Sequence, residues 1–347
     1  MLQHLKKKIF NPMKKFEDDD DDEAVKEGHS KEGHSKFAMD YCASIQVDPE
    51  TNNPTKVWDK YKIKRIVKKV KMKNLSTPIF EDRVRVVCLS DTHMKIEDKP
   101  EVVPDGDILI HAGDFTNIGL PSNIEKFNEF LGKLPHRHKV VIAGNHDQTF
   151  MDNNDDFYHS AYSTHKVCAA MELFRQTDGK KSVKGLLTNC IYLQDSAIEL
   201  YGIKFYGSPW SPEFCNWAFN VERGEEILKI WNQIPEETDI LITHGPPLGY
   251  GDMNYDGLRT GCVELLNTIQ KRVRPKYHIY GHIHEGYGVL SDGYTTYINA
   301  STCNLRYKPE NPPIIFDVPL PAGCTKDESL KNCLTVNDQP QGGACAL

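Results

Sequence analysis

Five short clusters of carboxylate, imidazole and amide side chains stand out in the sequence: Asp91-Thr-His93, Gly113-Asp114, Gly144-Asn145-His146-Asp147, His244-Gly245 and Gly281-His282-Ile283-His284. Carboxylate oxygens and imidazole nitrogens together bind first-row divalent metals well. Asp91 and His93 are two residues apart, and His282 and His284 repeat that spacing. Each pair can therefore reach one ion from the end of a strand or the turn after it. Asp114 offers two oxygens and can bridge two ions. A cage of carboxylates alone would suit calcium or magnesium, whereas this histidine-rich set suits manganese, iron or zinc. The glycines at 113, 144, 245 and 281 let the backbone turn sharply or take positive φ beside the metals. Singly, each cluster has a plain structural reading: a surface loop, a helix N-cap, a rigid turn, a hydrogen-bonded core histidine. Together they would need five chain segments to collect metal ligands independently, and the group reads as one site.

Each cluster follows a short apolar run. The stretches 84–90, 107–113, 139–145 and 239–245, and Tyr-His-Ile-Tyr-Gly ending at Gly281, read as buried strands. Between two of them, Ser122 and Glu125 make a capping-box pattern, and Ile124, Phe127, Leu131 and Leu134 make one helical apolar face. Further helices are expected in EEILKIWNQI, with Ile227, Trp231 and Ile234 on one side, in VELLNTIQKRV and near KVCAAMELFRQ. The stretch IYLQDSAIELYGIKFYGSPW reads as a hairpin turning near Asp195 and Ser196. Strand–helix alternation with added hairpins indicates an α/β architecture with mixed sheets. Open α/β sheets carry ligand sites at the carboxyl ends of their strands, so the five turns can converge.

The flanks have a different texture. Residues 1–80 are expected to form a disordered extension, 81–320 the folded domain, and 321–347 a flexible tail rich in Gly, Pro and polar residues. The extension contains an acidic run from Glu17 to Glu23 and a tandem KEGHS repeat, whose His29 and His34 read as part of a solvated tail. A basic stretch, Lys60 to Lys73, places Ile63, Ile66, Val67 and Val70 at helical spacing. That pattern fits a helix on an anionic membrane or a protein partner, or a solvated lead-in to the domain. Hydrophobic residues make up 39% and charged residues 26%, ordinary for a globular chain, and the net charge of −7 gives no reason to expect a stable nucleic-acid complex. The opening stretch is too polar for a secretory signal, so the ten cysteines are expected to be reduced thiols, and none shows CxxC spacing. No apolar run is long enough to span a bilayer. The cytoplasm is the default compartment, with the lysine stretch leaving the nucleus or an inner membrane surface open.

The ordered motifs resemble the calcineurin-like metallophosphoesterase superfamily. Longer strings, among them LSDTH, ILIHAGDFT, VIAGNHD, THGPPLG and DGYTTYINAST, are similar to the metallophosphoesterase-domain-containing family of animal phosphodiesterases. The resemblance runs from about Arg83 to Val318. It implies an α/β fold of two stacked mixed β-sheets flanked by helices, a four-layer sandwich. It also implies a dinuclear centre of divalent ions, manganese first, with iron or zinc as alternatives. Asp91, His93 and His284 would hold one ion, Asn145, His244 and His282 the other, and Asp114 would bridge them. His146 would be the catalytic residue near the leaving group. Members often have an acidic residue three positions after the bridging aspartate. Here that position is Asn117, whose amide would raise the histidine pKa less. Asp147 is a candidate support.

The expected reaction is attack on phosphorus by a metal-bridging hydroxide, with His146 protonating the departing oxygen. The segment after Asp114 contains no arginine to grip a monoester dianion, which favours a small-molecule phosphodiester or nucleotide substrate, cyclic nucleotides included. Tyr206, Trp210, Phe214 and Trp217 could stack on a base or simply fill a core. The alternatives are a low-turnover metal-binding scaffold or interaction protein, and a phosphomonoesterase or protein phosphatase.

Overall fold

The computed structural model describes residues 45–151, 165–178 and 182–326. Two mixed sheets form its centre. One runs in the order β14-β2-β3-β4-β5, from Ile314–Pro319, Arg83–Leu89, Ile108–Ala112, His138–Ile142 and Ile191–Tyr192. The other has the order β1-β12-β13-β11-β10-β7-β6, from Lys68–Lys69, Gly288–Ser291, Thr296–Asn299, Tyr277–Tyr280, Ile240–Thr243, Ile203–Ser208 and Ser196–Leu200. A small ribbon pairs β8 (Ser211–Pro212) with β9 (Asn220–Val221). The runs read as buried strands are parallel centres: β2, β3 and β4 in one sheet, β10 and β11 in the other, with β7 of the expected hairpin parallel beside β10. Strands buried on both faces need no polar alternation, so these read as continuous apolar runs.

Between the sheets, Val86, Ile110 and Val140 face Phe205, Ile242, Ile279 and Ile298. Outside the five-stranded sheet lie α2 (Pro121–Lys133) and α3 (His165–Asp178), with Ile124, Phe127 and Leu131 buried. Outside the seven-stranded sheet lie α1 (Pro54–Tyr61), α4 (Glu225–Trp231) and α5 (Val263–Thr268), the last continued by a π-helical turn, Ile269–Val273. The result is helix–sheet–sheet–helix, the expected architecture. Among the described residues, no helix is long and apolar enough to cross a membrane. Cys88, Cys262 and Cys303 are buried free thiols.

Several local expectations change. Pro121, not a serine cap, opens α2: Ser122 lies inside the first turn, where proline's fixed φ and missing N–H cost nothing. The hairpin turns at Tyr201 (φ 56°) and Gly202 (φ 72°), six residues later than expected, as a two-residue turn with both central φ positive requires. Asp195 instead marks the crossing from β5 in one sheet to β6 in the other, and its carboxylate accepts from Ser208 Oγ (2.7 Å) and Trp210 Nε1 (2.8 Å). Residues 45–80 are not a disordered extension. Within α1, Val57 and Trp58 are buried against Tyr250 and the helices of that face. Of the readings of Lys60–Lys73, the helical one fails and the lead-in holds: it is the end of α1, a short 3-10 turn and extended chain, because Lys68 and Lys69 pair with Ser291 and Leu290 of β12. Residues 321–326 also dock, with Arg137 donating to the Lys326 carbonyl (2.9 Å). The acidic run, the KEGHS repeat and residues beyond 326 lie outside the described residues.

Candidate metal centre

The clusters converge where the carboxyl ends of β2, β3 and β4 meet those of β10 and β11. The close turns demand unusual backbone. Asp91, His93, Asp114 and His282 themselves adopt left-handed φ, at 50°, 46°, 56° and 68°. Such conformations cost about 1–3 kcal/mol each for non-glycine residues and concentrate at functional sites. Of the four glycines expected to turn sharply or take positive φ, Gly113 takes positive φ (96°). Gly281 serves by close approach instead: a Cβ there would lie 2.0 Å from Asp91 Oδ2.

Four imidazoles turn one nitrogen to a main-chain carbonyl and the other to a common centre. Nδ1 of His244 lies 2.9 Å from the Ala112 oxygen, that of His284 3.1 Å from Asn304, that of His146 2.8 Å from Asn117 and that of His93 3.3 Å from Thr116. A carbonyl only accepts, so each Nδ1 carries a proton, and each Nε2 faces inward, where it offers a lone pair to a cation once it is itself free of a proton. The inward nitrogens crowd around two carboxylates. His244 Nε2 is 3.4 Å from Asp114 Oδ2 and 2.9 Å from Asn145 Oδ1, while His284 Nε2 is 3.3 Å from Asp91 Oδ1. His93 and His146 each place Nε2 3.9 Å from Asp114 Oδ2.

Three donor groups could each hold an ion, with all atoms within 4.8 Å of one another: Asp91, His93 and His284; Asp91, Asp114 and His244; and His93, Asp114 and His146. Asp114 belongs to two of them, as a bridging carboxylate would. His282 belongs to none. Its ring lies beside that of His244, centroids 5.0 Å apart, and its main-chain N–H donates to Asp91. The donor set fits divalent cations: two buried carboxylates and several inward imidazole nitrogens, within 4.8 Å of one another in each group, are the ligand types such ions take.

Electrostatics agree. Burial alone would lower the imidazoles of His244 and His284, but Asp114 and Asp91 outweigh it and raise both to about 9. Burial, reinforced by a neighbouring imidazole, pushes His93 down to about 4 and His282 to about 3. Burial would raise the carboxylates, yet the surrounding histidines hold Asp91 and Asp114 below the usual range. The site binds positive charge even before a metal arrives.

Asp147 stands behind this layer. It accepts the main-chain N–H of Asp114, Gly144 and Thr116, each at 2.9 Å, and the Thr116 hydroxyl at 2.7 Å. Burial pushes its carboxyl up to about 7, with the Asp114 charge adding to that and the hydrogen bonds from Thr116 and Gly144 opposing it. Asn117 departs from expectation: its backbone carbonyl, not its amide, accepts from His146, and its side chain is exposed. Ser301, not singled out from the sequence, donates to Asp91 Oδ2 at 2.9 Å. A serine among INAST carries no motif, and only the bridge between Ser90, after β2, and Ser301, after β13, brings it there.

The centre opens into a cleft of about 380 Å³ lined by Asp114, His146, Phe214, Trp217, Glu285 and Tyr307, among others. Trp217 packs on the His146 ring at 4.2 Å, and Tyr307, also unforeseen, meets His93 edge-on at 4.8 Å. The expected aromatic face splits. Phe214 and Trp217 reach the cleft, whereas Tyr206 is buried and Trp210 hydrogen-bonds Asp195.

Residues 84–286 match the family model described as calcineurin-like phosphoesterase. Metallophosphoesterase domain-containing protein 1 of Homo sapiens is 49% identical over 290 residues, covering 80% of this chain and 86% of that protein. The protein of the same name from Mus musculus gives the same figures. A UPF0046 protein of Caenorhabditis elegans is 48% identical over 282 residues, covering 80% of this chain and 70% of its own length.

Proposed function

The chain belongs to the calcineurin-like phosphoesterase family and is a metal-dependent phosphoester hydrolase, and on that premise we propose that its substrates are phosphodiesters, cyclic nucleotides among them. One observation carries the preference. Among the described residues, those that line the cleft include Phe214, Trp217, Leu305 and Tyr307 and an acidic Glu285, but no lysine or arginine. A monoester dianion gains most from cationic forks. A diester carries one charge and two organic arms, and an apolar, aromatic wall suits an arm.

In this reading Asp91, His93 and His284 would hold one divalent ion, Asn145, His244 and His282 would hold the other, and Asp114 would serve both. When bound, the ions supply Lewis acidity and lower the pKa of water. Manganese is the first candidate for this mixture of nitrogen and oxygen donors. The chain's own residues do the rest. The carbonyls of Ala112, Asn304 and Thr116 fix three imidazoles in the tautomer that presents Nε2. His146 keeps one proton on Nδ1 for the Asn117 carbonyl and, when doubly protonated, delivers the other from Nε2 to the departing oxygen. Trp217 holds that ring in place and keeps water from its far face.

The test compares an aryl phosphodiester with the matching monoester, on protein stripped of metal and reloaded with manganese, beside His282→Ala. Manganese-dependent cleavage with kcat/KM higher for the diester, and collapsing in the variant, is expected. Preference for the monoester by folded, loaded protein would sink the diester reading.

A further inference from the structure

The flank of the sandwich carries a feature that catalysis does not use. Both sheets end on one side, in edge strands β1 and β14. The chain from Lys62 to Phe80 runs across this side as a strap and is tied down repeatedly. Arg65 bonds Gln270 (2.7 Å), the Tyr250 hydroxyl donates to the Ile66 carbonyl (2.8 Å), and β1 pairs with β12. Lys73 and Arg85 both pair with Asp317 of β14, and Arg85 also donates to the carbonyls of Thr77 and Pro78. Val70 turns inward onto the core between the sheets.

The rest of the strap faces out. Ile63, Ile66, Val67, Met72, Ile79 and Phe80 are between 41% and 79% exposed. A tethered chain cannot withdraw these side chains, and several exposed apolar residues held along one tethered segment mark a candidate interaction site. They alternate with charge of one sign. Residues 60–73 contain eight lysines and arginines and no acid, in a chain whose net charge is −7. Lys64, Lys68, Lys69 and Lys71 are exposed and make no ion pair with another described residue.

We propose that this strap is a docking surface for an anionic lipid bilayer. Apolar side chains held among unpaired lysines suit the boundary between headgroups and acyl chains, where the apolar groups enter and the ammonium groups stay with the phosphates. Each lysine near an anionic leaflet strengthens binding roughly fivefold. A bilayer needs no groove and no matched shape. A strand-adding protein partner would need a longer template than the two residues of β1.

The experiment is flotation of the full chain with phosphatidylcholine vesicles, with and without phosphatidylserine, at low and physiological salt. Thermal melting checks that each variant is folded. The wild type is expected to float with the anionic vesicles and not with the neutral ones. Lys68→Glu, Lys69→Glu and Lys71→Glu together should weaken that binding roughly a hundredfold or more. Ile63→Ser with Ile66→Ser should bind at low salt and release at physiological salt. Equal flotation with both lipids, no flotation, or unchanged binding by the triple lysine variant would overturn the proposal, the last assigning attachment to lysines elsewhere, such as Lys6 to Lys8. A doubling of mass in solution that Ile63→Ser with Ile66→Ser abolishes would overturn it in favour of a second copy of the chain.

Discussion

The carboxylate of Asp147 accepts the main-chain N–H of Asp114 and that of Gly144 through the same oxygen, both at 2.9 Å. One atom thereby locks the turn after β3 to the turn after β4 and sets the distance between Asp114 and Asn145. Replacing it with alanine would leave buried N–H groups of Asp114, Gly144 and Thr116 without their acceptor. The expected loss is about 2–4 kcal/mol of folding stability, since each orphaned buried donor costs roughly 1–3 kcal/mol and partial relaxation recovers some. Chemical denaturation and metal analysis of Asp147→Ala check this; an unchanged midpoint with full metal content would show that the turns hold without it.

His146 and Asn117 separate a side chain from a backbone. Because the carbonyl of Asn117 accepts from the ring, Asn117→Ala keeps the contact and should hold turnover within about threefold of wild type, less than the loss expected of a proton donor. His146→Ala should lower kcat about 10²–10⁴-fold with metal retained. Loss of metal by His146→Ala would make it a ligand, in line with its place beside Asp114 and His93. A large loss in Asn117→Ala would restore the amide to the mechanism.

Gly281 has no room for a side chain. The added methyl of Gly281→Ala would sit 2.0 Å from Asp91 Oδ2 and 2.1 Å from Ser90 Oγ, so the carboxylate or the turn must move. Metal content should fall by at least about tenfold at limiting metal, as losing support for a ligand commonly does. Retention of metal would mean that the turn carrying His282 and His284 can shift as a unit.

The histidines make metal uptake a proton-release reaction. His244 and His284, raised to about 9, are protonated at neutral pH, whereas His93 at about 4 and His282 at about 3 already present neutral rings. Loading should therefore release about two protons at pH 7, and affinity should weaken as pH falls below about 9. For metal-free protein the sign reverses. A histidine whose folded pKa lies above its unfolded value stabilises fully below that unfolded value, and its contribution fades as pH rises through about 9. Metal-free protein should thus melt higher at pH 6 than at pH 9.5. Calorimetry in buffers of different ionisation enthalpy counts the protons; release of none, with no change in melting between those pH values, would contradict the charge assignment.

What the sequence made legible was whatever depends on neighbours along the chain. The apolar runs that become β2, β3, β4, β10 and β11 are buried on both faces, so their composition betrays them, and the metal-binding residue types follow each at once. What stayed hidden depends on distant partners. Ile63, Ile66, Val67 and Val70 fit helical spacing as well as they fit a strap, and only β12, more than two hundred residues on, decides between them. Likewise Asn117 advertises its amide while its carbonyl does the bonding. Ser301 and Tyr307 enter the site through contacts that no spacing rule encodes.

The crossing from β5 to β6 is only three residues long, Leu193 to Asp195, and Asp195 bolts it to Ser208 and Trp210. A link that short works as a rivet between the sheets and forbids one from sliding over the other. The metal centre draws Asp91 from the turn after β2 in one sheet and His284 from the turn after β11 in the other. Its aperture is therefore gauged by a fastening on the opposite edge of the sandwich from the strap. Cutting the chain at Leu193–Asp195 would leave the apolar core and the Lys73–Asp317 tie to hold the plates, and the centre would lose one of the fastenings that calibrate it while every ligand stayed in its own turn.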